Sequence, residues 1–223
     1  MIYIHQNRIP KAFVEWKAAN HGLNCNYKSL PGDIKSSIKD SLLQEQKFLC
    51  AYTMIRIKDE TSHIEHIEPQ SAADEKDLDY SNMAACFPGS STGMIEFGAK
   101  KKDDCSEPIL SPHDATADAA FEYKNNGIIV GRTDLAKRTI EILNLNHPDL
   151  IRRRKSVYDD FICLLQTRKD LITAGKVSLT LKKMQENDRL PDQFGVIRQI
   201  LLKTIEHLSK RSKRLSRAKN TRQ

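Results

Sequence analysis

Helical periodicity runs through most of this chain and stops between Cys50 and about Asp104. Apolar residues recur at helical spacing before that stretch (Ile34, Ile38, Leu42, Leu43) and after it (Leu150, Ile151, Tyr158, Phe161, Leu164, Leu165). A non-helical unit therefore has to be held among helices, and the expected fold class is α+β, predominantly helical. The interruption also carries the densest chemistry. It contains Thr61-Ser62-His63-Ile64-Glu65-His66-Ile67-Glu68-Pro69-Gln70-Ser71, followed by Tyr80-Ser81-Asn82, which ends sixteen residues after His66. A carboxylate and an imidazole on adjacent positions, with an amide shortly downstream, match what metal-assisted phosphodiester cleavage requires.

At 223 residues the chain can bury one good core and carry helical extensions. Its net charge of +7 is local. Ser209 to Gln223, fifteen residues, hold seven Lys or Arg and no acid, which leaves 29 basic against 29 acidic residues elsewhere. Such a tail can neutralise phosphates, or can be a solvated helix end. Lys100, Lys101 and Lys102, and Arg152, Arg153 and Arg154, are further candidate nucleic-acid contacts. With aromatic residues at 6% and few in the basic tracts, contact with the nucleic-acid backbone is expected rather than base stacking. No apolar run approaches the ~20 residues that span a bilayer, and the N-terminus lacks a hydrophobic signal core, so a cytoplasmic protein without membrane partners is expected. Five cysteines, at 25, 50, 86, 105 and 163, read as reduced thiols or metal ligands rather than a secreted disulfide framework.

Along the chain, Pro10 to Ala19 predicts a short helix and Asp33 begins a second. Tyr52, Met54, Ile55 and Ile57 suggest a strand, Ile64 and Ile67 a second strand or loop, and Asp77 to Ala85 a short helix. Pro88 to Gly93 is turn-rich, and Glu107 to Pro112 reads as irregular surface chain. Phe121-Glu122-Tyr123, Asn125-Asn126-Gly127 and Ile128 to Gly131 predict a hairpin. Asp134 is read as the cap of a helix, Pro148 as the opening of a long one, and Gly175 and Pro191 as breaks in the helical remainder.

The chemistry assigns roles. An imidazole accepts a proton at neutral pH, which makes His66 the candidate general base. Glu65 offers the hard oxygen that suits magnesium or manganese. Neighbours on an extended segment face opposite ways, so a bend is expected to bring the two groups together. Asn82 can hydrogen-bond backbone on both sides of its loop and hold the imidazole in place.

Cys50-Ala51-Tyr52, Ser62 to Ile67 with Pro69 and Ser71, Tyr80-Ser81-Asn82-Met83 and Cys86 together resemble the HNH endonucleases with their ββα-metal finger. Within them, Lys100 to Asp103 before Pro108-Ile109-Leu110-Ser111-Pro112, the Phe121 hairpin, and Thr139-Ile140 to Leu143-Asn144-Leu145-Asn146 are similar to the PtuB-like nucleases of Septu-type antiphage defence. The resemblance covers roughly residues 1 to 155. It implies DNA or structured RNA as substrate, His66 as base, Glu65 as ligand of one catalytic Mg2+ or Mn2+, and Asn82 as the organising amide. It also implies a PtuA-like ATPase as the controlling partner and, for some such pairs, a retron reverse transcriptase with its noncoding RNA and DNA.

The chain departs from that pattern at three places. Thr53 and Phe97 stand where second cysteines would complete two Cys-x-x-Cys pairs, so four thiolates for a structural zinc are missing; a remodelled site would have to draw on Cys50, Cys86 and Cys105. Ala99 stands in the third signature slot, leaving Asp103 first, then Asp104 or His63, to complete the metal site. A catalytically silent module that binds nucleic acid or docks the ATPase is the alternative. The expected division is 1–49 N-terminal helices, 50–112 ββα-metal core, 113–155 hairpin and helix completing the nuclease, and 156–223 helical extension with a basic tail.

Overall fold

Pro10 fixes an extended backbone immediately before helix α1 (Lys11–Ala19), which buries Phe13 against α2 (Gly32–Glu45). The computed structural model describes residues 1–21, 25–72, 74–89, 95–168 and 173–220. In α2 the spacing of Ile34, Ile38, Leu42 and Leu43 places all four on the buried face, as their periodicity predicts.

Beyond α2 the chain turns through Lys47 and Phe48, both at positive φ, into a knuckle closed by Cys50 N–H to Ile55 O (2.8 Å) and Met54 N–H to Cys50 O (3.0 Å). The strand expected across Tyr52 to Ile57 does not form; only Leu49 and Arg56 make an isolated bridge. Apolarity at these positions reports burial rather than a ladder, because their carbonyls are taken by a distant partner: Gln193 donates from Nε2 to Thr53 O (2.9 Å) and from its N–H to Met54 O (3.0 Å).

The two strands of the first sheet are β1 (His63–His66) and β2 (Met83–Cys86), antiparallel, with His63 opposite Cys86, Glu65 opposite Ala84 and His66 opposite Met83. Helix α3 (Ala99–Lys102) follows. A strand, strand, helix order is present on other residues than expected: Asp77 to Ala85 is not a helix but a 3₁₀ turn (Tyr80–Asn82) running into β2. A short, wholly buried apolar run cannot distinguish helix from strand by period. Here the outer edge of β2 is settled by Gln46, whose buried amide accepts from Ala85 N–H and donates to Ala85 O, both at 2.7 Å.

After α4 (Ala117–Ala120), the predicted hairpin forms as β3 (Phe121–Tyr123) and β4 (Ile129–Gly131). Its turn needs Gly127: φ is 86°, and a Cβ there would lie 2.2 Å from Ile151 O. Helices α5 (Asp134–Ile142), α6 (Pro148–Thr167), α7 (Ala174–Glu186) and α8 (Phe194–Asn220) complete the chain. The cap of α5 is Thr133, not Asp134, its hydroxyl accepting from Ala136 N–H at 3.1 Å. Gly175 lies within the first turn of α7 rather than breaking it. Part of the turn-rich loop, residues 90–93, lies outside the described residues.

Buried apolar side chains from Met1 to Leu201 form one cluster in which the first sheet, the second hairpin and α8 all take part. At roughly 1.5–3 kcal/mol for each large apolar side chain, this packing fixes the small first sheet to the helices. Among the described residues no helix is long and apolar enough to cross a membrane.

Candidate active site

Strand β1 alternates its side chains, so His63 and Glu65 share one face and His66 takes the other. On the shared face His63 Nε2 lies 3.5 Å from Glu65 Oε2, with the side chains 33% and 13% exposed. The other ring nitrogen, Nδ1, is 2.5 Å from the Pro88 carbonyl, which can only accept, so Nδ1 carries the proton. In the neutral ring this leaves the Nε2 lone pair beside the carboxylate. Burial opposes charge on His63, but the Glu65 carboxylate and Pro88 carbonyl outweigh it and raise the imidazole above its ordinary value.

The remaining oxygen of Glu65 meets a lysine from α3. Lys102 Nζ sits 2.9 Å from Glu65 Oε1 and 3.0 Å from His66 O, with only 1% of its side chain exposed. Gly98, at φ 67°, turns the chain into α3, so that Ala99 and Lys102, three residues apart, share its buried face while Lys100 and Lys101 point outward. The expected bend joining Glu65 to His66 is not what links them: the two side chains stay on opposite faces, and the Lys102 ammonium spans the carboxylate of one and the carbonyl of the other.

His66 is 8% exposed. It is enclosed by polar and aromatic groups: Nε2 lies 3.0 Å from Asp77 O and 3.6 Å from Asp77 Oδ1, and the ring meets Tyr27 edge-on with centroids 4.9 Å apart. Since the Asp77 carbonyl only accepts, Nε2 holds the proton and Nδ1 is the basic nitrogen. Asp77 is itself fixed by Tyr27 N–H at 2.5 Å and by the Gln70 amide. Asn82 clasps the opposite loop, accepting from Glu68 N–H (2.8 Å) and donating to Glu68 O (3.0 Å) and Lys76 O (3.4 Å). Ile67 N–H then reaches Asn82 O at 2.8 Å, so β1 and β2 remain in register to the last residue of the strand.

Other expected groups lie elsewhere. Asp103 is exposed at the end of α3, and Asp104 accepts from Ser71 Oγ at 2.6 Å. Cys50 and Cys86 are buried together behind His63. Burial pushes the Cys50 thiol up, but hydrogen bonds from Cys86, Thr53 and the Phe87 N–H outweigh it and bring it down to about 6; burial and the neighbouring Cys50 push Cys86 up. Cys105 is part-buried away from that pair, and among the described residues no three His, Cys, Asp or Glu side chains converge as a metal-binding set.

Of the six expected phosphate contacts, Lys100, Lys101, Arg152 and Arg153 are exposed, the last two beside Asp149 and Asp192. Lys102 and Arg154 are corrections. Lys102 faces Glu65, and Arg154 is buried with its guanidinium on Gly127 O (2.6 Å) and Leu145 O (2.7 Å), so neither is directed to a ligand at the surface. Lys102 and Asp77 are the site groups that sequence reasoning did not place. Ala99 and Lys102 at helical spacing beside buried Phe97 were the available signal for the first; nothing local marks the second.

The pair of His63 and Glu65 fits a divalent cation. Ligand bonds of ~2.0–2.2 Å place two donors on one ion roughly 3.0–3.6 Å apart, and the Pro88 carbonyl fixes the ring tautomer that such a ligand needs. Magnesium is commonly held through one or two carboxylates with water and phosphate oxygens completing its shell; Glu65 supplies such a carboxylate and His63 adds a nitrogen donor.

No family model matches the chain. It is similar to "Retron Vc95 putative HNH endonuclease" of Vibrio cholerae serotype O1 biovar El Tor, with 26% identity over 146 residues, covering 61% of this chain and 70% of that protein. This similarity supports the HNH superfamily and, with it, nuclease function.

Proposed function

We propose that the chain is a divalent-cation-dependent HNH endonuclease that hydrolyses phosphodiester bonds of nucleic acid. The observation that carries this reading is the division of labour on β1: Glu65 and His63 form a ligand pair on one face, and on the other His66 is held through Nε2 by Asp77 O, leaving Nδ1 basic. His66 Nδ1 accepts the proton of the attacking water, and Asn82 holds the loop that supplies the Asp77 carbonyl. Mg2+ or Mn2+ held by Glu65 Oε2 and His63 Nε2 would neutralise charge on the phosphate and the leaving oxygen. Lys100, Lys101, Arg152, Arg153 and the basic end of α8 supply exposed positive charge for backbone contacts.

DNA is the default substrate and structured RNA its rival, since the sequence shows no base-reading motif. In this proposal the chain is the cytoplasmic effector of an antiphage complex, a reading supported by its resemblance to PtuB-like nucleases and by the retron name of the similar protein. A PtuA-like ATPase would control it, with a retron reverse transcriptase and its noncoding RNA and DNA as further partners.

A second reading is favoured by Lys102 lying on Glu65: a degenerate module that binds nucleic acid or docks the ATPase without cutting. Purifying the chain with and without the co-expressed ATPase, and assaying DNA and RNA with magnesium, manganese or EDTA, separates the two. Cleavage that needs the metal and vanishes in His66→Ala supports the nuclease; binding and assembly without cleavage in every condition supports the module.

A further inference from the structure

We propose that Lys102 is a built-in competitor for the Glu65 carboxylate and thereby sets how tightly the site takes a divalent cation. This rests on the cation site proposed above. A carboxylate ligand normally offers both oxygens to an ion or gives one to a neutral donor. Here Oε1 is held by an ammonium at 2.9 Å, and that ammonium is anchored a second time, on His66 O at 3.0 Å, so it cannot swing away without leaving a backbone carbonyl unmet. Its side chain is 1% exposed, so water does not screen its charge as it would on the surface. A cation arriving at Glu65 Oε2 and His63 Nε2 therefore meets a fixed positive charge across the same carboxylate.

Two consequences follow from this geometry. The carboxylate remains neutralised when no metal is bound, so β1 and α3 hold together in the metal-free protein. Cation affinity is lowered by the repulsion, so the ion is retained firmly only when further oxygen donors, such as those of a phosphodiester, arrive with it. Lys102 is thus a positioning and tuning residue. It touches the carboxylate and not the reacting atoms.

Direct Mn2+ binding to the full chain, read by the electron paramagnetic resonance of free Mn2+ without any substrate, tests the proposal. Wild type, Lys102→Met and Lys102→Gln are compared, each alone and with Glu65→Gln. Removing one nearby charge is expected to tighten Mn2+ binding by at least about tenfold, and Glu65→Gln to remove it in every background. Gln keeps a hydrogen-bond donor for Glu65 and His66 O, so it decides the matter if Lys102→Met does not fold. Wild-type binding that neither folded variant tightens would overturn the role of Lys102 and leave the cation site standing. No Mn2+ binding in wild type or in either variant would overturn both.

Discussion

The molecule contains two antiparallel two-stranded sheets built with the same devices and put to different use. Each has a strand edge closed by a glutamine amide: Gln46 on Ala85 of β2, and Gln199 on Tyr123 of β3, accepting at 2.9 Å and donating at 2.6 Å. Each has an asparagine that clasps backbone in both directions, Asn82 on Glu68 and Asn146 on Ile129. Each is backed by a buried cation. A primary amide carries one acceptor and two donors in a plane, so it can stand in for the next strand where a sheet of two has no neighbour. The difference lies in what the cation meets. Arg154 meets only neutral oxygens, the carbonyls of Gly127 and Leu145 and the Asn146 side-chain amide, whereas Lys102 meets a carboxylate that shares a face with an imidazole. The second hairpin is therefore a piece of architecture, and the first holds a part-buried ionic cluster.

The sharpest way to break this contrast is catalytic. His66→Ala should lower cleavage by ~10²–10⁴-fold, the usual contribution of a general base. Glu122→Gln on β3, which touches only surface lysines and Arg132, should leave it unchanged. Cleavage assays on both variants decide it, and a drop in the second comparable to the first would erase the distinction between the sheets.

Stability separates the two cations. Arg154→Met leaves the carbonyls of Gly127 and Leu145 without donors, at ~1–3 kcal/mol each, and no metal should restore it. Lys102→Met should also lower the urea midpoint, but Mn2+ should recover part of that loss by taking over the charge on Glu65. Equal response of both variants to Mn2+ would count against the comparison.

The asparagines give a smaller, paired effect. Asn82→Ala and Asn146→Ala should each cost about 1–3 kcal/mol, from amide groups that lose both backbone partners. Only the first should reduce kcat beyond what its residual fold accounts for, because only that loop carries the carbonyl holding His66. Matching losses of kcat would sink the assignment.

The smallest effect is a pH dependence. His63 is raised in the folded chain, so its contribution to stability is fully present below the unfolded pKa and is lost as pH rises through the folded value. In EDTA, the difference in urea stability between wild type and His63→Ala should be greatest near about pH 5 and fade above neutrality. A difference that grew with pH would contradict the ion pair with Glu65.

Much of this was legible in the chain itself. The helices with a clear apolar stripe, α2 and α6, begin and run as their spacing predicts, and the Asn125-Asn126-Gly127 hairpin forms because Gly127 tolerates a left-handed turn pressed against α6. His63, Glu65, His66 and Asn82 could be singled out because their chemistry is local: residue type and neighbours on one strand or loop. The middle of the chain was misread at Tyr52 to Ile57 and at Asp77 to Ala85, where the apolar runs, such as Met83 to Ala85, are too short for their period to tell strand from helix.

What the sequence determined by itself is the run of chemistry-bearing residues at His63, Glu65 and His66; that this run is a strand rather than a loop or a bend, with His63 and Glu65 facing together and His66 away, came with the fold. Which of three consecutive lysines would turn inward, that Gln46 would finish a strand it precedes by nearly forty residues, and that Asp77 would hold the imidazole were decided by tertiary structure alone. Each depends on a buried polar group finding a partner from a distant segment, and that cost of leaving it unpaired is felt only once the chain has closed around it.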